Sequence, residues 1–318
     1  MSSVQQLDVP EHDDGQRLDR WFKRLFPHIA HGKVEKLLHT GQIRVDGKRA
    51  KGSVRLETGQ TVRIPPLPDP TEVKAETSKR DRSRLFDMVI YEDKDLIAID
   101  KPAGLAVQGG TKTVEHIDGM LPDGFRLVHR LDRDTSGVLL IAKSAKAAKW
   151  AGRAFQSRQA EKVYWGVTNG VPRPLSGEIA GYMVKGHLDN RFGNIHEGKE
   201  VMMAVRHGTP NAKHARTLYE VVATAAAKAA FVSMMPLTGR THQLRLHMQI
   251  LGAPLAGDPK YMTDRPLPGG LDKSLHLHAR SLTIPRDGQP ELSITAPLPQ
   301  HMKSAFELFG FMESEAQV

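Results

Sequence analysis

The chain has 318 residues, of which 39% are hydrophobic and 25% charged, as in a folded protein of one large or two ordinary domains. It contains no cysteine, which excludes a disulfide scaffold, a thiolate nucleophile, an iron–sulfur cluster and cysteine-ligated zinc. Fully apolar runs such as 138–142 are too short to cross a bilayer, and residues 1–16 are polar and acidic, unlike a signal peptide. We therefore expect a cytoplasmic protein with no membrane partner.

Positive charge is unevenly distributed along the chain. The net charge is +9, and residues 16–64 alone carry 12 Lys and Arg against 4 Asp and Glu. A solvated basic face without a partner is the ordinary explanation for a run of charge. In a small folded module, an excess of this size favours the binding of a polyanion such as nucleic acid.

The basic segment predicts two helices followed by hairpin strands. A second helix turns Val34, Leu37 and Leu38 inward and stops at Gly41, and Asp46-Gly47 then predicts a tight hairpin turn between short strands that continue to residue 64. The first helix, ended by Pro27, has apolar side chains at the i, i+3, i+4, i+7 and i+8 positions of one face: Leu18, Trp21, Phe22, Leu25 and Phe26.

This αα-β pattern, over residues 15–64, resembles the small RNA-binding fold first seen in ribosomal protein S-four. The resemblance implies that the helix pair binds structured RNA. It implies phosphate contacts from four basic side chains: Arg17, Lys33, Lys36 and Arg44. Residues 65–85, rich in proline and then in charge, are expected to form a linker to a second domain.

Strands and helices mix in residues 86–312. Apolar runs at 88–91 and 96–99 predict paired strands, 138–142 predicts a buried strand, and Ser144 is placed to cap the helix that follows. Further predicted elements are a strand at 163–168, a strand at 231–237 and a helix from about 241 to 251. Because there is no regular βαβ rhythm, we expect an α+β domain with a mixed β-sheet.

Two polar stretches are the strongest candidates for chemistry. Residues 129–137 place Asp132 and Asp134 among cationic side chains in a loop that leads into a strand, although turn chemistry alone also explains such a loop. Residues 237–247 place Arg240 at the start of a helix, where a guanidinium suits an anion or a carboxylate.

Both stretches resemble the signature motifs of the pseudouridine synthases, in the RluA-family branch that carries an S-four-like domain and modifies large-subunit ribosomal RNA. Four further segments are similar to motifs of that family in the same order: 101–107, 162–164, 252–258 and 277–279. Together with the N-terminal module, these matches cover nearly the whole chain. The sequence departs from the family at Gln108, Ala253 and Met262, which puts the choice of target in doubt more than the activity.

The resemblance implies the roles of five residues. Asp132 corresponds to the essential aspartate, and whether it adds to the sugar, adds to the base or abstracts a ribose proton stays open. Arg240 corresponds to an arginine that pairs with that aspartate. Tyr164 corresponds to the tyrosine that stacks on the flipped uracil and is a candidate base at carbon five, and Leu244 to a residue that packs beneath it. Arg130 corresponds to the side chain that fills the gap left by the base.

Three of these roles have a structural alternative: a strand residue for Tyr164, core packing for Leu244, and an ion pair to a neighbouring aspartate for Arg130. The isomerisation involves no net redox change or hydrolysis, so no cofactor is expected. Two histidine pairs, 242/247 and 276/278, are candidate metal ligands. They lack a zinc-ligand pattern, so no metal is expected either.

The partner implied by the resemblance is large-subunit ribosomal RNA, with no obligate protein partner. Two alternatives remain open: a non-catalytic RNA-binding factor for ribosome assembly, and a uridine isomerase that acts on another RNA such as tRNA. Retention of Asp132, Arg240 and Tyr164 together favours catalysis over the first alternative.

Overall fold

The computed structural model describes residues 4–29, 31–67, 79–109, 115–187, 200–286 and 288–316. Contacts divide the chain into two units. The first unit comprises Met1–Leu85 and Gln108–Leu121, and the second comprises Phe86–Val107 and Pro122–Val318. The first unit is therefore discontinuous in sequence, which the linear order of module, linker and catalytic domain does not predict.

The first unit contains the two predicted helices and a small antiparallel sheet in the order β1-β4-β2-β3. Its strand β1 precedes residue 15, where the module was expected to begin, and pairs with β4. The elements are β1 (Gln5–Asp8), α1 (Leu18–Leu25), α2 (His31–His39), β2 (Arg44–Val45), β3 (Lys48–Arg49) and β4 (Thr61–Ile64).

The apolar faces of α1 and α2 form the core of this unit. Leu18, Trp21 and Phe22 of α1 are buried. The apolar residues predicted to face inward from α2 are buried with them: Val34, Leu37 and Leu38. Leu25 is 41% exposed in the last position of α1, so the prediction that it belongs to the buried face is wrong. Asp46 and Gly47 both have positive φ, as a type I′ hairpin turn between β2 and β3 requires.

Part of the expected linker is helical. The helix α3 (Lys79–Asp87) occupies its end, and residues 68–78 of the linker fall outside the described residues. A short helix α4 (Ile117–Met120) lies in the returning segment of the first unit.

The second unit is built on one large sheet, in which the described strands run β11-β10-β12-β13-β9-β14-β8-β6-β5, with β15 on β14 and β7 on β8. The pair β14–β8 is parallel and the other pairs are antiparallel, so the predicted α+β fold with a mixed sheet is confirmed. The strands are β5 (Val89–Glu92), β6 (Leu96–Lys101), β7 (Arg126–Leu127), β8 (Ser136–Ala142), β9 (Glu161–Asn169), β10 (Ser176–His187), β11 (Glu200–Val205), β12 (Lys213–Ala225), β13 (Ala229–Pro236), β14 (Leu277–Arg286) and β15 (Gln289–Thr295).

Three helices accompany this sheet: α5 (Ala145–Gln156), α6 (Gln243–Ile250) and α7 (Gln300–Phe309). Ser144 caps α5 as predicted, because its Oγ accepts a hydrogen bond from the Ala147 N–H at 3.1 Å. Every residue of β8 is buried, so this strand lies at the centre of the unit. The buried start of β8 fixes the position at which the preceding loop ends.

None of the helices in the described ranges is long and apolar enough to span a lipid bilayer.

Candidate active site

A cavity of about 460 Å³ opens in the second unit. Five parts of the chain meet at its wall: the loop before β8, the end of α5 with the residues just beyond it, the strand β9, the turn from β13 into α6, and the start of β14. Five of the residues singled out from the sequence line it together: Arg130, Asp132, Tyr164, Arg240 and Leu244. The two polar stretches therefore meet in space, although 99 residues separate them in the chain.

Two hydrogen bonds and one close backbone contact hold the loop that carries Asp132. The Thr135 N–H donates to the Asp132 carbonyl at 3.2 Å, and the buried Lys101 Nζ donates to the Arg133 carbonyl at 3.0 Å. Gly137 follows at φ +108°, where a Cβ atom would lie 2.2 Å from the carbonyl oxygen of Ala279 on β14. Only glycine fits there, and this close approach fixes where the loop enters β8.

The Asp132 carboxylate is 20% exposed and lies near two nitrogen atoms from the stretch that contains α6. Its Oδ2 lies 3.9 Å from Nη1 of Arg245 and 4.0 Å from Nε2 of His242. Burial raises the pKa of Asp132, and the charges of Arg245 and Arg130 oppose that rise. The carboxylate is thus partly stripped of water but held beside positive charge, a setting that suits a nucleophile or an electrostatic stabiliser.

The expected pairing of Arg240 with Asp132 is wrong. Arg240 lies on the cavity wall, but its Nε donates to the backbone carbonyl of His214 at 3.0 Å, and its own N–H donates to the Gln243 side chain. Arg240 precedes α6, whereas Arg245 is in the first turns of that helix and points into the protein. The guanidinium nearest to Asp132 therefore comes from Arg245, five residues further along the same stretch.

Arg245 is itself held by a buried ion pair. Its Nε and Nη2 donate to the two carboxylate oxygens of Asp258, each at 2.7 Å, and both side chains are almost completely buried. The Asp258 Oδ1 also accepts the backbone N–H groups of Lys260 and Tyr261. This bidentate geometry fixes the plane of the guanidinium and leaves Nη1 directed towards Asp132.

His242 is a second neighbour of Asp132 that the sequence did not single out as catalytic. Its backbone is left-handed, at φ +52°, immediately before α6. Burial, together with the charges of Arg245 and Lys260, lowers the pKa of His242 to about 3, so the ring is neutral near pH 7. Its Nδ1 lies 2.9 Å from the Tyr261 hydroxyl, which accepts the Met202 N–H. Tyr261 thereby fixes the orientation of the ring.

Tyr164 lies on β9, and its ring packs against the cluster that contains Leu244. Burial, and then the charge of Asp132, raise the pKa of Tyr164, so the phenol is neutral at physiological pH. Leu244 is 6% exposed and belongs to that cluster, so it packs in the core. Arg130 is exposed on the wall and forms no ion pair within the described residues; Asp134 is paired with Arg133 instead.

The histidines considered as metal ligands have other hydrogen-bond partners. His247 Nδ1 lies 2.9 Å from the Thr217 hydroxyl, and His278 Nδ1 lies 2.9 Å from the Ser136 hydroxyl. Within the described ranges, no group of three or more His, Asp or Glu side chains is arranged to hold a metal ion.

The mixed sheet and the cavity around Asp132 define a protein class that comparison with known families identifies. Residues 95–250 match the family model described as RNA pseudouridylate synthase. A relative from Rickettsia bellii, ribosomal large subunit pseudouridine synthase C, is 36% identical over 79% of this chain and 84% of its own length. The chain therefore belongs to the RNA pseudouridylate synthase family.

Other relatives agree with that membership. A protein from Vibrio vulnificus, also named ribosomal large subunit pseudouridine synthase C, is 32% identical over 82% of this chain and 81% of its own length. Among solved structures, human RNA pseudouridylate synthase domain containing 4 superimposes with a TM-score of 0.59 at 30% identity. That alignment covers 72% of this chain and 95% of the human chain, so the catalytic fold is shared over most of its length.

Proposed function

We propose that this protein isomerises uridine to pseudouridine in large-subunit ribosomal RNA, with Asp132 as the essential carboxylate. The observation that carries the proposal is the setting of Asp132, a desolvated carboxylate beside a clamped guanidinium in a cavity wide enough for a nucleoside. The names of the Rickettsia and Vibrio relatives support ribosomal RNA as the substrate.

The reaction breaks the bond between ribose C1′ and N1 of uracil and forms a bond between C1′ and C5. The base turns over in between, a proton leaves C5, and N1 gains one. Asp132 can serve this sequence by attacking C1′, by adding to the base or by removing a ribose proton, and its setting is compatible with each. In every case Arg245 holds the carboxylate in place and stabilises its charge.

The target uridine has to leave its stack before Asp132 can reach it. Base flipping costs a few kcal/mol, and a side chain that fills the gap lowers the cost. Arg130 is suited to this role because it is exposed on the cavity wall and is not paired with either neighbouring aspartate. The neutral ring of Tyr164, packed against the cluster that contains Leu244, provides a face on which the extruded uracil can stack.

The first unit is proposed as an S-four-like module that binds RNA through its helix pair. Lys33 and Lys36 support this role because they are exposed on α2 and have no ion-pair partner among the described residues. Arg17 is less available, since its guanidinium is bonded to Asp19, and Arg44 Nε donates to the Gly41 carbonyl. We therefore assign the phosphate contacts chiefly to the two lysines.

Replacing Lys33 and Lys36 together by glutamine is expected to weaken RNA binding and its dependence on salt. Each lost phosphate contact reduces the slope of log K against log salt by about one. Filter binding of a large-subunit ribosomal RNA transcript over about 50 to 200 mM KCl measures the slope. A slope equal to that of the wild type would remove the helix pair from the RNA interface.

The pH dependence of turnover should reveal the environment of Asp132. Because burial raises its pKa, kcat is expected to fall on acidification through a midpoint above about 3.9, the value for a free aspartate. His242 stays neutral and should add no transition near its ordinary value of about 6.5. Single-turnover rates over about pH 4 to 9 measure this profile, and a rate that rises on acidification would contradict the assignment.

Purified protein offered equal amounts of three transcripts tests the substrate. We expect pseudouridine in large-subunit ribosomal RNA and none in small-subunit ribosomal RNA or tRNA. Modification of tRNA alone would favour the isomerase with another substrate. Tight binding without modification of any transcript would favour the non-catalytic assembly factor.

A further inference from the structure

A second cavity, of about 440 Å³, lies in the second unit beside the outer face of α5. Five cationic side chains, two aspartates and Trp150 line it, and none of these residues lines the cavity around Asp132. Three of the cations come from α5 itself: Lys146, Lys149 and Arg153. We call this set the α5 basic face.

Helical geometry places the α5 basic face on one side of the helix. Residues 146, 149 and 153 are three and four positions apart, so their side chains project in nearly the same direction. The opposite side of α5 is buried through Ala147, Ala151 and Ala154. The cationic side is therefore fixed towards solvent by the packing of the helix.

The positive charge of this surface is not neutralised by the protein. All three side chains are exposed and form no ion pair within the described part of the chain. Of the two aspartates, Asp93 is already bonded to Arg286, to the Tyr91 hydroxyl and to two backbone N–H groups. Asp95 is then the one carboxylate in this cavity left to offset the α5 basic face and Lys94.

The same helix leads to the catalytic cavity. Its last residues, Phe155 and Gln156, line the wall around Asp132, and Arg158 just beyond them does so as well. From Lys146 to Gln156 the helix rises about 15 Å, at about 1.5 Å per residue. The cations at 146, 149 and 153 are therefore spaced along a helix that ends at the catalytic cavity.

We propose that the α5 basic face binds the phosphates of RNA that flanks the target uridine and holds that strand as it leaves the catalytic cavity. This inference rests on the proposed function, since it takes RNA as the ligand. The partly buried ring of Trp150 lines the same cavity beside the cations and offers an apolar surface that suits a ribose or the face of a base. Phosphate contacts of this kind set position and affinity rather than sequence choice.

The test compares two triple variants of the full-length protein. One carries Lys146→Gln, Lys149→Gln and Arg153→Gln. The matched control carries Lys228→Gln, Lys273→Gln and Lys303→Gln, which remove the same charge from exposed positions that line neither cavity. The probe is a radiolabelled transcript of large-subunit ribosomal RNA, measured by filter binding over about 50 to 200 mM KCl and by pseudouridine formation.

For the α5 variant, the slope of log K against log salt should fall by about two, because each contact to single-stranded RNA contributes about 0.7. Its KM for RNA should rise about tenfold or more, with the loss falling on KM rather than on kcat. The control should match the wild type in both.

If the α5 variant has the same slope and the same KM as the control, the proposal is overturned. The α5 basic face would then serve a partner other than RNA. Failure of the proposed function is distinguishable: wild-type protein would then bind the transcript without forming pseudouridine, while the comparison of slopes would still decide the role of α5.

Discussion

Asp132→Asn should abolish pseudouridine formation, lowering the single-turnover rate by at least about a thousandfold. Asparagine keeps the size of the side chain but removes the negative charge that faces Arg245, and its neutral amide is too weak a nucleophile or base to replace the carboxylate. RNA affinity should stay within a few-fold of the wild type, because the proposed phosphate contacts lie elsewhere. Tritium release from RNA labelled at uracil C5 measures the rate.

Asp134→Asn is the matched control, since it makes the same chemical change two residues away. The Asp134 carboxylate is paired with Arg133 at 2.9 Å at the surface of the same loop, so its loss should cost stability by about 1 kcal/mol or less. A wild-type rate for Asp132→Asn, or an equal loss of activity for Asp134→Asn, would show that the chemistry does not depend on the charge of Asp132.

Arg245→Met is expected to have the largest effect on stability. It leaves Asp258 as an uncompensated buried charge, which destabilises a protein by about 3–5 kcal/mol. The double variant Arg245→Met, Asp258→Leu removes both charges and should recover part of that loss, since the backbone N–H groups of Lys260 and Tyr261 still lose their acceptor. Activity should not recover, since Asp132 still lacks its guanidinium. Chemical denaturation and single-turnover rates separate the two roles of Arg245.

Arg240→Met serves as the comparison for this experiment. Its guanidinium bonds a backbone carbonyl rather than a buried carboxylate, so we expect a loss of stability of about 1 kcal/mol or less. If Arg240→Met destabilised the protein as much as Arg245→Met, the roles assigned to the two arginines would have to be exchanged. Recovery of full activity in the double variant would show that Asp132 does not need the guanidinium.

Local patterns made much of the fold predictable. The period of apolar residues fixed α1 and α2, Asp46-Gly47 marked the hairpin, and Ser144 marked the start of α5. Short runs of apolar residues predicted the central strands β6 and β8. These signals depend on residues close together in the chain, where geometry and burial leave few alternatives.

Arg245 was missed for an identifiable physical reason. Six consecutive residues at the start of α6, from Gln243 to Met248, are all buried, so the helix has no amphipathic period from which its orientation could be read. The left-handed His242 also turns the chain just before the helix, which directs Arg240 away from Asp132. The partner that holds Arg245, Asp258, lies in another segment and is identified only by the tertiary contact.

The long strands β10, β11 and β12 were also not predicted. The segment 176–187 contains three glycines and little alternation of apolar and polar residues, so its extended form depends on pairing with β11 and β12. The grouping of Gln108–Leu121 with the first unit is likewise non-local. Each of these features is fixed by contacts between distant segments, and no local propensity reports them.

The most direct measurement is pseudouridine mapping of ribosomal RNA from cells that lack the gene, complemented with the wild type or with Asp132→Asn. If Asp132 is the essential carboxylate, specific large-subunit pseudouridines will disappear in the deletion strain, return with the wild type and stay absent with Asp132→Asn expressed at the same level. An unchanged large-subunit map in the deletion strain, or full restoration by Asp132→Asn, would contradict it.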